Sequence, residues 1–249
     1  MSRIDMLPHP LLNDAFVPSA TKAPGRHVWH TAFRTGAPAT GLVFLDGELY
    51  LERVAAMSVL NDLEDRKDTP PLRAIFVSNQ SPADRHADFT CDDDYAAFLA
   101  TDARSWLLDR YPEIDPGGIV LVGLSLSGLA AAHAALTHPE AFGAAICQSP
   151  SFWWEDERFR RALPTDGAQR PALWVSVGSA EVTADVSHPP SGLYQGVSQI
   201  DACERAVTAL RGSGCLLRYE VFKGGHDPEC WREELASALS WAIGTSACA

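Results

Sequence analysis

The chain has 249 residues, 46% of them hydrophobic, and carries 20 basic against 32 acidic side chains for a formal charge of -12. That length can bury one substantial core, and the acidic excess repels nucleic acid and anionic membrane surfaces, so neither is expected as a partner. Six cysteines, at 91, 147, 203, 215, 230 and 248, form no C-x-x-C pair, so no zinc knuckle or dithiol motif is visible and no metal or cofactor is expected.

Near the start, Asp5 and Pro8 stand where a secretory apolar core would lie, and no run approaches the roughly 18 apolar residues a membrane helix needs. A soluble cytoplasmic protein is expected. Prolines at 8, 10, 18 and 24 mark residues 1–25 as an extended arm on a single domain covering 1–249, with no separate N-terminal domain. His27 to Arg34 alternates as a strand, and Gly41 to Leu45 is a second one after a Gly/Pro turn. His27 and His30 are three apart on a strand and so point to opposite faces, which argues against shared metal coordination.

Asp46-Gly47-Glu48 follows, and then Val54, Met57, Leu60 and Leu63 fall at helical spacing within Tyr50 to Leu63. A strand, a glycine turn and a helix can present a backbone N–H at the carboxyl edge of a sheet, where ligands gather. Asp46 and Gly47 are thus candidates for half of an oxyanion hole; a plain turn glycine explains them equally well. Leu72 to Val77 is the third strand, and the polar stretch Ser78 to Phe89 reads as a long loop. There Arg85 and His86 either meet an anionic substrate or are solvated loop charges. A helix over Asp94 to Arg110 turns Tyr95, Phe98, Leu99, Trp106 and Leu107 to the core.

The centre of the chain is Ile119-Val120-Leu121-Val122-Gly123-Leu124-Ser125-Leu126-Ser127-Gly128, a buried strand running into an Ala/Leu-rich helix. A serine on such a turn is the setting of a nucleophile elbow, G-x-S-x-G, in which small neighbours let strand and helix approach closely. Gly123 and Ser125 fit; Ser127 replaces the final glycine and is small enough for a crowded turn. Ala144 to Gln148 is the next strand, followed by Trp153 and Trp154, which can wall a pocket for a flat aromatic group or simply pack. The run Glu155 to Arg161 reads as a solvated helix face. Ala172 to Val177 is a strand ending near Glu181, and Ile200, Cys203, Val207 and Leu210 mark a helix. Cys215 to Phe222 is the last strand; it ends at Gly224-Gly225-His226-Asp227, before a closing helix over Pro228 to Ala242.

A serine hydroxyl needs a base within hydrogen-bond reach, and that base needs an acid to fix its tautomer. Ser125, Glu181 and His226 each follow a predicted strand and occur in the order nucleophile, acid, histidine, so a parallel sheet would gather them at one edge. Asp185 and Asp227 are alternative acids, and a Ser–His dyad stays open. The oxyanion donors follow from role: the N–H of Leu126 and one from Asp46 or Gly47.

Gly123 to Ala130, His138-Pro139-Glu140-Ala141-Phe142-Gly143 and Gln148 to Trp154 resemble the catalytic domain of enterochelin (ferric enterobactin) esterases in the putative-esterase family. So do Leu45-Asp46-Gly47, Gly178 to Glu181, Gly224 to Asp227 and Cys230-Trp231-Arg232, in the family's order over about residues 40–242. The resemblance implies a single-domain α/β-hydrolase with a mostly parallel central sheet and helices on both faces. It implies that Ser125 and His226 hydrolyse an ester, with Glu181 at the acid position. Arg85, in Arg85-His86-Ala87-Asp88, is then a contact for a catecholate or carboxylate. The expected substrate is a small-molecule ester of a catecholate siderophore, cleaved through an acyl-enzyme on Ser125 to release iron after uptake. A carboxyl or feruloyl-type esterase, an acyltransferase, or a non-catalytic siderophore-binding protein whose elbow Ser127 has spoiled are the alternatives.

Overall fold

In the computed structural model, which describes residues 11–66, 68–163, 170–189 and 191–246, the arm residues Asn13–Val17 form an edge strand (β1) antiparallel to β2 (Arg26–Ala32). Backbone pairing makes this strand: of its five residues only Val17 is buried. β3 (Ala39–Phe44) is buried throughout. The single helix expected over 50–63 is instead two, α1 (Gly47–Glu52) and α2 (Ala56–Glu64), broken at Ala55 with φ 56° and without the glycine or proline that would have marked the break.

β4 (Leu72–Val77) is followed by a second correction, because most of the expected loop is α3 (Pro82–Phe89). Ser81 caps it, accepting the Asp84 N–H at 3.1 Å, and Pro82 occupies the first helical position, where its missing N–H costs nothing. The pair Arg26–Asp88 anchors this helix at 2.5 Å, with the guanidinium over the rings of Tyr95 and Phe98. Burial raises the Asp88 carboxyl against the opposing pull of Arg26.

α4 (Asp93–Phe98) and α5 (Arg104–Arg110) are joined by a π-helical turn, Leu99–Ala103. At about 3.6 residues per turn an α-helix would carry the series Tyr95, Leu99, Ala103 and Leu107 round its axis; the wider turn keeps all four buried. β5 (Ile114–Leu124) leads into α6 (Ser125–Thr137), and β6 (Ala144–Gln148) into α7 (Trp154–Arg161). α7 opens with Glu155, Asp156 and Glu157 at φ 47°, 51° and 60°, a left-handed turn inside the charged run. β7 (Ala172–Gly178) precedes an unforeseen hairpin, β8 (Val186–His188) and β9 (Leu193–Gln195), then α8 (Gln199–Gly212), β10 (Leu217–Phe222) and α9 (Pro228–Ser246).

The sheet order is β1-β2-β4-β3-β5-β6-β7-β10, parallel from β4 to β10. Alternation along β5 shows why helices cover both faces. Ile119 and Leu121 join one core with Phe89, Leu107, Leu129 and Ala206, while Val120, Val122 and Leu124 join the other with Tyr50, Leu60 and Leu239. Strand order reverses at β3, and the parallel strands bring their carboxyl ends to one edge, where an open α/β sheet gathers its ligands.

Candidate functional site

Ser125 opens α6 with φ 52°, a left-handed conformation that a non-glycine residue holds at a cost of about 1–3 kcal/mol. The turn is tight enough to dictate its neighbour: a Cβ on Gly123 would lie 2.1 Å from the Ser127 carbonyl oxygen. Ser127 itself is fully buried, and its Oγ accepts the Leu124 N–H at 3.0 Å and donates to the Leu124 carbonyl at 2.8 Å. The serine in place of the motif glycine thus closes the turn on its own backbone.

His226 Nε2 lies 2.9 Å from Ser125 Oγ, and His226 Nδ1 lies 2.7 Å from Glu181 Oε2. The imidazole side chain is 42% exposed and the carboxylate 3%, so the imidazole is open to the cleft and the carboxylate is almost enclosed. Glu181 Oε1 accepts from Gly178 N–H at 2.7 Å and from Ser149 Oγ at 2.6 Å. The alternative acids are engaged elsewhere: Asp185 accepts the Tyr194 hydroxyl at 2.6 Å, and Asp227 accepts the Glu229 N–H at 2.8 Å in the first turn of α9.

Ser125 and His226 line a cleft of about 880 Å³ with Arg85, His86, Leu126 and Trp153. Leu126 is the second residue of α6, so its N–H has no intrahelical acceptor. Asp46 and Gly47 do not line the cleft. Gly47 packs on β4, where a Cβ would meet the Phe76 carbonyl carbon at 2.8 Å, and Asp46 is fully buried. The Asp46 carboxylate takes the Arg85 guanidinium through Nε at 2.8 Å and Nη2 at 2.6 Å, so Arg85 reaches the cleft already paired rather than as a free cation.

Trp153 lines the cleft, but Trp154 does not; the Arg158 guanidinium covers its ring at 5.6 Å. The arginines of the charged run pair with their own acids, Arg158 with Glu155 at 2.9 Å and Arg160 with Glu157 at 2.6 Å. Sequence reasoning missed Ser149, Gln199 and the β8–β9 hairpin, which adds Val186, His188, Leu193 and Gln195 to the cleft. His27 and His30 are likewise separate: His30 is buried, with Nδ1 2.7 Å from the Tyr111 hydroxyl. Among the described residues no group of three His, Cys, Asp or Glu could hold a metal ion, and no helix is long and apolar enough to cross a membrane.

The family model described as "Putative esterase" matches residues 30–242. The chain is 29% identical over 232 residues to the iron(III) enterobactin esterase of Dickeya dadantii, an alignment covering 88% of this chain and 52% of that one. It therefore spans about half the length of the curated relatives it matches. The solved enterobactin esterase of Shigella flexneri, in the presence of enterobactin, superposes with a TM-score of 0.77 at 22% identity, over 94% of this chain and 58% of that one. A siderophore hydrolase from Aspergillus nidulans superposes with a TM-score of 0.67 at 19% identity, over 99% and 98% of the two chains. These two likenesses establish the shared α/β fold.

Proposed function

The chain belongs to the family described as "Putative esterase", and from that premise we propose that it is a serine esterase acting on catecholate siderophore esters of the enterobactin type through an acyl-enzyme on Ser125. The observation that carries the reading is the unbroken line of contacts from Ser125 Oγ to His226 at 2.9 Å and from His226 to Glu181 at 2.7 Å. It has the form a hydroxyl needs to become a nucleophile at neutral pH.

In the acylation step Ser125 Oγ bonds to the ester carbonyl carbon as its proton passes to His226 Nε2, and Glu181 stabilises the imidazolium so formed. The adduct collapses, the C–O bond to the alcohol breaks, and the leaving alkoxide takes that proton. Water then gives a proton to the same imidazole as it attacks the acyl carbon; the second adduct collapses, the bond to Ser125 Oγ breaks, and the imidazolium returns that proton to Oγ as the carboxylic acid leaves. Leu126 N–H receives the developing oxyanion.

The iron(III) enterobactin esterase of Dickeya dadantii takes its name from a catecholate ester, and in this chain Trp153 gives the cleft an aromatic wall for such a group, beside an Arg85 whose charge is held by Asp46. The bonding of Ser127 within its turn supports catalysis over binding alone. A cytoplasmic setting, where iron is released after uptake, agrees with Cys91, Cys147, Cys203, Cys215 and Cys230 being free thiols.

Steady-state hydrolysis of an enterobactin-like trilactone beside 4-nitrophenyl butyrate tests the proposal. The trilactone is expected to have the higher kcat/KM, and Ser125→Ala and His226→Ala are each expected to lose about 10³-fold or more on both substrates. Preference for the nitrophenyl ester would contradict the siderophore assignment, and an active Ser125→Ala would contradict the site.

A further inference from the structure

We propose that Ser149 and Trp231 are positioning residues for Glu181: with the Gly178 amide they form a donor cradle that keeps one carboxylate oxygen saturated and the other aimed at His226. The inference rests on the reading of Ser125, His226 and Glu181 as the reacting set, and adds to it two residues that do not themselves line the cleft.

The direction of the hydrogen bonds follows from the atoms. Trp231 Nε1 lies 3.0 Å from Ser149 Oγ, and an indole N–H can only donate. Ser149 Oγ therefore accepts from it, and its single proton goes to Glu181 Oε1 at 2.6 Å. With Gly178 N–H at 2.7 Å, that oxygen has two donors, and Oε2 is left for His226. Both Ser149 and Trp231 are buried, so water does not substitute for either. Ser149 holds its place at φ 42°, fixed by its N–H on the Ser176 carbonyl at 2.7 Å. Such a left-handed serine persists only where its surroundings over-determine it.

Trp231 has a second contact with the same assembly, edge-on to the His226 ring with centroids 4.8 Å apart and an interplanar angle of 85°. It is fixed from behind, where its carbonyl accepts Gln148 Nε2 at 2.8 Å. The turn after β6 thus ties together three parts of the site. Ser149 holds the acid, Ser151 N–H bonds the Ser125 carbonyl at 3.0 Å, and the Pro150 carbonyl accepts Gln199 Nε2 at 2.7 Å while Gln199 Oε1 accepts from Trp153. Among ionisable neighbours, burial and then the Glu181 charge push the Cys203 thiol well above its ordinary value, so it stays neutral. Asp227 is engaged with Glu229, and Arg85, His86 and His188 share the cleft.

Ser149→Ala, Trp231→Phe and the double variant, assayed on 4-nitrophenyl butyrate with Ser125→Ala in parallel, test the cradle. Ser149→Ala is expected to lower kcat about tenfold and Trp231→Phe about threefold, both with KM unchanged. The double variant should be no slower than Ser149→Ala, because phenylalanine keeps an aromatic ring beside His226 and removes only the donor to the hydroxyl. With a donor gone, more negative charge remains on the carboxylate facing His226, so the acidic limb of the kcat/KM profile should move to higher pH. A structural role alone would give additive losses and an unmoved limb, and would overturn the proposal, as would kcat within about twofold of the parent in both single variants. If Ser149→Ala does not fold, Trp231→Phe and its pH profile decide alone. An active Ser125→Ala would bring down the underlying site; an inactive Ser125→Ala beside unaffected cradle variants would bring down the cradle only.

Discussion

Trp153 and His188 lie face to face, their ring centroids 5.2 Å apart and their planes 10° from parallel. The indole comes from the turn after β6 and the imidazole from the β8–β9 hairpin. Each ring is held at its polar end, Trp153 Nε1 by Gln199 Oε1 at 2.5 Å and His188 Nε2 by Gln195 Oε1 at 3.2 Å. An aromatic body with a tethered polar tip makes a firm wall for a flat acyl group.

His188→Ala therefore removes half of a stacked wall without touching the reacting atoms. KM for esters of aromatic acids is expected to rise about three- to tenfold, the worth of one aromatic pair, with kcat unchanged. Parallel kinetics on an aliphatic ester should show no such rise. Equal effects on both substrates would mean that the hairpin shapes the cleft generally rather than walling an aromatic ring.

Ser127→Ala leaves the buried Leu124 N–H without its acceptor, at a cost of about 1–3 kcal/mol. For a chain of this size each kcal/mol lowers Tm by about 2–4 °C. Ser127→Gly, which restores the usual motif, loses the same bond and is expected to melt lower than the parent too. Activity at a temperature where both are folded should stay within severalfold. Unchanged melting would show that the hydroxyl contributes nothing to the turn.

The convergence of Ser125, Glu181 and His226 could be read from the sequence because each has a local mark. Four apolar residues precede Gly123-Leu124-Ser125, Gly178 precedes Glu181, and two glycines precede His226. A parallel sheet then brings all three strand ends to one edge. What could not be read depends on partners distant in sequence. Arg85 looks like a free loop cation until folding places Asp46 against it, and Ser149 looks like any turn serine until Trp231 arrives from α9. Ala55 breaks a helical pattern with no breaker residue, so nothing local announced it. The start of α3 is a different case: Ser81-Pro82 was a readable cap signal, outweighed by the polarity of what followed.

His30 supplies a pH dependence. Burial first, then the Arg110 charge, lowers its imidazole below the ordinary 6.5, against a smaller opposing effect of Asp14. His133 is lowered too, again chiefly by burial and against Asp93. Below 6.5 the unfolded chain takes up protons that the folded imidazoles refuse, so stability present above that pH is lost as pH falls toward the depressed values. Thermal melts are expected to drop by several degrees between neutral and mildly acidic buffer. His30→Gln, which keeps a hydrogen-bonding group for the Tyr111 hydroxyl, should flatten part of that drop. An equally steep dependence in the variant would remove His30 from the account.

The most direct test of the site is covalent. Folded protein exposed to a fluorophosphonate should gain one adduct by intact mass, located by peptide mapping on Ser125, and His226→Ala should abolish the labelling. No adduct on the parent, or undiminished labelling of Ser125 in His226→Ala, would contradict the claim that the contact between these two residues makes the hydroxyl a nucleophile.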